Sequence, residues 1–188
     1  PVVYVGGSGA QLYRINNAAT TTQGKEIVFN SAVPVEVTND FLNAIAVNPK
    51  NRNTIYLAFS NYSTQPRIWR ADGMDGTPVF TNISGDLPPG LPVNYVATDP
   101  AFPDKNLFAG TDFGLYFSTD SGKTWIKEKR IPNVAVHEIK MRQDRILFLY
   151  THGRGMWAVQ LSGADPLTYT GPEFNLFPNP ADDHIKIS

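Results

Sequence analysis

The chain has 188 residues, and 16 Lys plus Arg against 17 Asp plus Glu leave a formal charge of −1. That balance excludes a broad nucleic-acid or anionic-membrane surface, because phosphate binding needs a clustered positive excess. Cysteine is absent, which excludes a disulfide framework, a thiolate metal site and a thiol nucleophile, and no run of about 18 apolar residues offers a membrane-spanning helix. The 18% charged fraction lies below the usual ~25%, which argues against a disordered or coiled-coil chain. The length suits one ordinary domain or part of a larger one. Gly and Pro at 15 each point to many turns.

The opening Pro1-Val2-Val3-Tyr4-Val5 reads as a strand already in progress, and the closing His184-Ile185-Lys186-Ile187-Ser188 as a strand begun and left. The expectation is a fragment of a longer protein. Between these ends one unit recurs: a short apolar strand, a gap, then an apolar-aromatic pair. Tyr4 leads to Leu12-Tyr13-Arg14, Tyr56 to Ile68-Trp69-Arg70, Phe108 to Leu115-Tyr116-Phe117, and Phe148 to Met156-Trp157-Ala158. The units start 52, 52 and 40 residues apart. Another strand precedes three of them: Ala44-Ile45-Ala46-Val47, Asn94-Tyr95-Val96-Ala97 and Val136-His137-Glu138-Ile139.

A period of about 40–50 residues with three or four short strands per unit is the pattern of a β-propeller. No stretch sustains a helical period. The fold class is therefore all-β, with about four blades over residues 1–161 belonging to a larger ring. Residues 3–30 supply strands two to four of one blade, 43–82 and 93–130 complete blades, and 135–161 three strands. An aromatic on each third strand is expected to pack between neighbouring sheets.

Residues 118–125 read Ser118-Thr119-Asp120-Ser121-Gly122-Lys123-Thr124-Trp125. The segment resembles the Asp-box of sialidase-type (BNR) propellers, with every defined position matched by Ser118, Asp120, Gly122, Thr124 and Trp125. The resemblance implies a structural hairpin lock and no catalytic role for Asp120. Sialidases of this type use an arginine triad, a Tyr–Glu pair and an acid/base Asp. Those residues do not assemble here, so no catalytic residue is assigned within this chain, and whether the whole protein is an enzyme stays open. Asp99, Asp104 and Asp112 lie near strand ends, where they could face a binding surface, though turn chemistry explains each of them more simply. His137, His152 and His184 show no ligand spacing, and Asp72-Gly73-Met74-Asp75-Gly76 lacks the ligand series of a calcium loop. No metal and no cofactor are expected. Asn61-Tyr62-Ser63 and Asn82-Ile83-Ser84 are glycosylation sequons by pattern alone.

After Leu161 the composition shifts, and residues 162–173 read as a linker. Residues 174–188 follow as Phe174-Asn175-Leu176-Phe177-Pro178-Asn179-Pro180-Ala181-Asp182-Asp183-His184-Ile185-Lys186-Ile187-Ser188. Pro178 and Pro180 fix extended backbone, and Ile185 and Ile187 share one strand face. The segment resembles the opening of a type IX secretion C-terminal sorting domain (type A), carried by Leu176, Phe177, Pro178, Asn179, Pro180, Ile185 and Ile187. That domain is a β-sandwich, here represented by its first strands. The resemblance implies export through the periplasm and outer membrane to the cell surface. The implied partners are the type IX translocon and its outer-membrane shuttle barrel.

Two function classes follow. One is an exported surface propeller acting as a binding or adhesion module for a glycan or other surface ligand, with a link to surface motility. The other is a secreted glycoside hydrolase, sialidase- or xyloglucanase-like, whose catalytic residues lie largely outside this segment. An intracellular Trp-Asp-repeat scaffold is disfavoured because the Trp-Asp repeat ending is missing.

Overall fold

The computed structural model describes residues 1–22, 24–29, 33–37, 40–60, 62–161 and 175–177. Four antiparallel sheets follow one another along the chain, each a meander. The first joins β1 (Val2–Gly6), β2 (Leu12–Asn16) and β3 (Ile27–Val28). The second joins β4 (Leu42–Val47), β5 (Ile55–Phe59), β6 (Ile68–Asp72) and β7 (Val79–Asn82). The third joins β8 (Val93–Thr98), β9 (Leu107–Thr111), β10 (Gly114–Ser118) and β11 (Ile126–Lys127). The fourth joins β12 (Val136–Met141), β13 (Ile146–Thr151), β14 (Met156–Gln160) and β15 (Asn175–Phe177). A 3-10 turn, Val35–Val37, precedes the second sheet.

Equivalent registers identify the repeat. Tyr4 faces Arg14, Tyr56 faces Arg70, Phe108 faces Phe117 and Phe148 faces Ala158. By this alignment β1 matches the second strands β5, β9 and β13, as expected for residues 3–30. The fourth sheet differs from expectation in one respect. Residues 135–161 supply three strands, and β15 adds an outer one, pairing Phe177 with Met156, Leu176 with Trp157 and Asn175 with Ala158. Thus Leu176 and Phe177, assigned from sequence to the export segment, hydrogen-bond into the last blade. Pro178, Asn179, Pro180, Ile185 and Ile187 lie outside the described residues.

Strands β5, β9 and β10 are apolar and buried on both faces, so the second and third sheets need a neighbour on both sides. Three clusters meet that need. Leu12, Phe29, Leu57, Phe59 and Trp69 fill the space between the first and second sheets. Tyr56, Ile68, Leu91, Val93, Tyr116 and Trp125 fill the space between the second and third. Phe108, Leu115, Ile139, Leu147 and Leu149 fill the next, with Trp157 packed against them. The third-strand aromatics Trp69, Tyr116 and Trp157 therefore sit between sheets.

The turn at 118–125 is closed by its own side chains. Ser118 Oγ donates to Asp120 Oδ1 at 2.8 Å and accepts from the Gly122 N–H at 2.9 Å. Burial is the largest single effect on the Asp120 carboxyl and raises it, but the bonds it accepts from the Thr124 N–H at 2.9 Å, from Thr124 Oγ1 at 2.7 Å and from Ser118 together outweigh burial and hold it below the usual carboxylate range. Trp125 is thereby aimed back between the second and third sheets, where its Nε1–H donates to the Ile83 carbonyl at 3.0 Å. Its backbone N–H donates to Asp86 Oδ1 at 2.6 Å.

Tyrosine hydroxyls tie the first sheet to the second and the second to the third, at the end of the strands that this turn also caps. Tyr4 donates to the Arg52 carbonyl at 2.7 Å, and fully buried Tyr56 donates to the Pro103 carbonyl at 2.8 Å. The guanidinium groups of Arg14 and Arg70 lie over these two rings. The third sheet has Phe108 at this register, and there Arg145 reaches back to Asp99 instead, at 2.7 Å.

Two predictions follow from this packing. Gly122 has φ +83°, and an added Cβ would lie 2.5 Å from the Ile83 carbonyl oxygen, whereas Gly153 has φ +81° and open space around it. Gly122→Ala should cost about 3 kcal/mol in urea unfolding, and Gly153→Ala about 1 kcal/mol, the difference being the blocked approach of the inter-sheet link. Burial pushes the Tyr56 hydroxyl up to about 12. Its contribution to stability is present below the unfolded tyrosine value of about 10 and is lost as pH rises toward the folded value. Unfolding free energy measured between those pH values should fall less steeply for Tyr56→Phe than for the parent chain.

Candidate functional site: a polar and aromatic rim

The three inner strands β4, β8 and β12 share an irregularity. The register shifts between Leu42 and Ala44, between Val93 and Tyr95, and between Val136 and Glu138. The bulged residues Asn43, Asn94 and His137 are all polar. A bulge leaves its residue out of the ladder and turns the side chain away from the pleat, which suits an approach by ligand. The ladder of each inner pair ends with Leu42 facing Phe59, Val93 facing Thr111 and Val136 facing Thr151. The next residues of the second strands are Ser60, Asp112 and His152. Backbone bonds from the Ser60 N–H to the Phe41 carbonyl (3.2 Å) and from the His152 N–H to the Ala135 carbonyl (2.9 Å) hold two of these positions. One end of the inner strands thus carries the same two sockets in three consecutive blades: Asn43 with Ser60, Asn94 with Asp112, and His137 with His152.

Hydrogen bonds connect two of the blades. Ser60 Oγ donates to Asn94 Oδ1 at 3.1 Å, and Asn94 Nδ2 donates to Asp112 Oδ1 at 2.9 Å. Tyr62, from the second blade, donates its hydroxyl to Asp112 Oδ2 at 2.6 Å, and that bond raises its pKa. Each carboxylate oxygen accepts one bond here, and a carboxylate has about four acceptor positions in all. Asp112 therefore keeps capacity for donors arriving from solvent. The loop bearing Tyr62 is anchored by buried Arg67, whose guanidinium pairs with Asp40 at 3.0 Å and donates to Ser63 Oγ at 2.7 Å. Around this chain of bonds stand three exposed aromatic rings, Phe41 (60%), Tyr62 (74%) and Phe113 (53%). Thr111 Oγ1 accepts from the Phe113 N–H at 3.1 Å, fixing the turn that presents that ring.

The other two strand-end carboxylates belong to the opposite end. Asp99 is fully buried and accepts from Arg145 Nε and Nη2, from the Ala101 N–H and from Asn106 Nδ2. Asp104 pairs with Arg70 and accepts from Asn48 Nδ2, both at 3.0 Å. Both do the work of turns and inter-sheet links. At the loosely calcium-like segment, Asp72 is engaged by Arg70 and by Thr54, and Asp75 by Asn53. Among the described residues no group of three or more His, Asp or Glu side chains could hold a metal ion. A cavity of about 260 Å³ lies along the inner strands toward this end. Its walls are mostly apolar, with Ile45, Val47, Tyr95, Ile139 and Met141, and Lys140 beside them.

The sequence reading singled out Asp112 only as a strand-end carboxylate and found no relation between His137 and His152. The structure brings those two rings to 5.6 Å between centroids, nearly perpendicular. Three polar residues at the starts of inner strands are a visible signal; the bulges that turn them outward are not.

No family model matches the chain, and no curated protein matches it. Solved structures do. The GH74 xyloglucanase from Xanthomonas campestris aligns at TM-score 0.57 and 19% identity over 84% of this chain and 25% of its own. The YCF48 protein from Cyanidioschyzon merolae aligns at 0.51 and 16%, over 80% of this chain and 48% of its own. The extracellular domain of the two-component-system protein BT4673 from B. thetaiotaomicron aligns at 0.56 and 19%, over 84% of this chain and 20% of its own. The chain spans from a fifth to about half the length of these neighbours. At such identities the likeness is one of fold, and the fold is a β-propeller.

Proposed function

We propose that this chain is part of an exported, cell-surface β-propeller protein whose bulge-lined rim binds a glycan. The observation that carries the binding half is the Ser60–Asn94–Asp112–Tyr62 chain of hydrogen bonds flanked by exposed Phe41 and Phe113. Sugars present hydroxyl edges that a carboxylate and amides satisfy, and apolar C–H faces that stack on rings. A large aromatic left half exposed beside an organised polar network is the arrangement such ligands use. Asp-box propellers, which residues 118–125 resemble, include many carbohydrate-active proteins.

Support for the export half comes from the likeness of residues 174–188 to the start of a type IX sorting domain. The extracellular placement of the BT4673 neighbour agrees with it. The pairing of β15 with β14 draws the first three described residues of that segment into the wheel. On the present proposal they serve as the outer strand of the last blade, and the sorting signal proper begins at Pro178. Surface delivery would then suit either adhesion or a role in surface motility.

The second reading is a secreted glycoside hydrolase, favoured by one observation: Asp112 is a carboxylate on the loop rim of a fold shared with xyloglucanases. On this reading the partner carboxylate lies outside this segment. Hydrolysis of xyloglucan by the full-length protein, lost on neutralising Asp112, would decide for it.

Two measurements test the proposal. Calorimetric titration with β-glucan and sialylated oligosaccharides should show binding that Phe113→Ala or Asp112→Ala weakens by about tenfold, or about 1.4 kcal/mol, with an unchanged melting temperature. Absence of binding across a broad glycan panel would remove the glycan. Fusion of the complete native C-terminal region, from residue 162 onward, to a periplasmic reporter should deliver it to the surface of cells with an active type IX translocon. Retention of that reporter in the periplasm would remove the export route.

A further inference from the structure

We propose that His137 and His152 form a two-histidine site for a nitrogen-preferring divalent transition metal ion, with zinc as the reference ion, on the rim of the fourth blade. The site rests on geometry independent of the glycan and export proposals. His137 occupies the bulge of β12, and His152 immediately follows β13, so the two arise from adjacent strands at the position where the ladder ends. Both side chains are exposed. The bond from the His152 N–H to the Ala135 carbonyl at 2.9 Å fixes the backbone of one against the strand that carries the other.

The spacing fits a shared ion. Zinc–nitrogen bonds of about 2.0–2.1 Å at a tetrahedral angle put two imidazole ring centres about 5.2 Å apart. The observed separation is 5.6 Å. The 75° angle between the planes is no obstacle, because each ring is free to turn about its own metal–nitrogen bond. The chemistry selects the metal. Two imidazoles favour zinc, copper or nickel over calcium and magnesium, which need clusters of oxygen ligands. The equivalent sockets in the preceding blades carry Asn43 with Ser60 and Asn94 with Asp112, so the imidazole pair is a property of the fourth blade alone among the described blades.

The surroundings set the strength. Glu138 points its charge to Lys140, at 2.8 Å, and supplies no third ligand. Arg154, two positions beyond His152, adds a cation to the same turn and lowers the affinity. Water fills the remaining positions of the ion, leaving them open to a carboxylate or hydroxyl of an incoming ligand. The binding expected is therefore micromolar and exchangeable, unlike that of a closed structural site.

Titration of the full chain with zinc chloride alone, followed by calorimetry and by the imidazole resonances, tests this. One equivalent should bind and shift the signals of two histidines. Acidification should release the ion, since a protonated imidazole has no lone pair to donate. His137→Asn installs the residue found at the equivalent bulge of the third blade, so the fold should be retained, and binding should fall by about 100-fold. His184→Ala, which alters the remaining histidine, should leave binding unchanged. Absence of saturable binding below about 1 mM, or equal affinity in the parent and His137→Asn, would overturn the proposal. So would loss of the site in His184→Ala.

Discussion

The constraint from which the rest of this structure follows is that no sheet in it can exist alone. Strands β5, β9 and β10 are buried at every position, on both faces. A four-stranded sheet with two apolar faces is unstable in water until each face is covered, and the only covers available are the neighbouring sheets. A large aromatic from the third strand of the second, third and fourth sheets makes each contact asymmetric: one sheet supplies Trp69, Tyr116 or the partly buried Trp157, and the other supplies the socket. Stacking of this kind buries apolar area at roughly 25 cal/mol per Å² and makes the stability of each blade conditional on its neighbours.

Polar chemistry is divided between the two ends of the strands accordingly. At one end, Tyr4, Tyr56, Arg70, Asp99, Asp104 and Arg145 spend their hydrogen bonds on carbonyls and charges of the next sheet. These groups tie turns together and have little left to offer a ligand. At the other end the ladders stop at bulges, and Asn94, Asp112 and Tyr62 bond one another while staying accessible to solvent. The same residue type, aspartate near a strand end, is structural in one place and available in the other. Only its position relative to the stacked sheets tells the two apart.

Much of this was legible in the sequence. The repeat of apolar runs with an aromatic near the third strand of each unit was enough to count blades, to assign the partial first blade to strands two to four and to place Trp69, Tyr116 and Trp157 between sheets. Period-2 alternation and the aromatic spacing are local, so they survive in one chain read alone. The fourth strand of the last blade was not legible, because Asn175–Phe177 is three residues long and its partner β14 lies a linker away. The bulges were not legible either. Asn94 and His137 read as ordinary strand residues and Asn43 stands just before the strand expected at 44–47, and the extra residue shows only once register on both sides is known. The closeness of His137 and His152 depends on that register, which is why sequence spacing suggested no relation between them. The opposed fates of Asp99 and Asp112 required knowing which turn meets Arg145 and which meets Tyr62.

The recurring bulge has an evolutionary corollary. Its residue hangs outside the ladder, so replacing it alters neither strand pairing nor the packed interior. Amide and imidazole already occupy such positions along successive copies of one repeated unit. A protein made this way can rewrite its recognition alphabet one letter at a time, with the scaffold indifferent to the spelling.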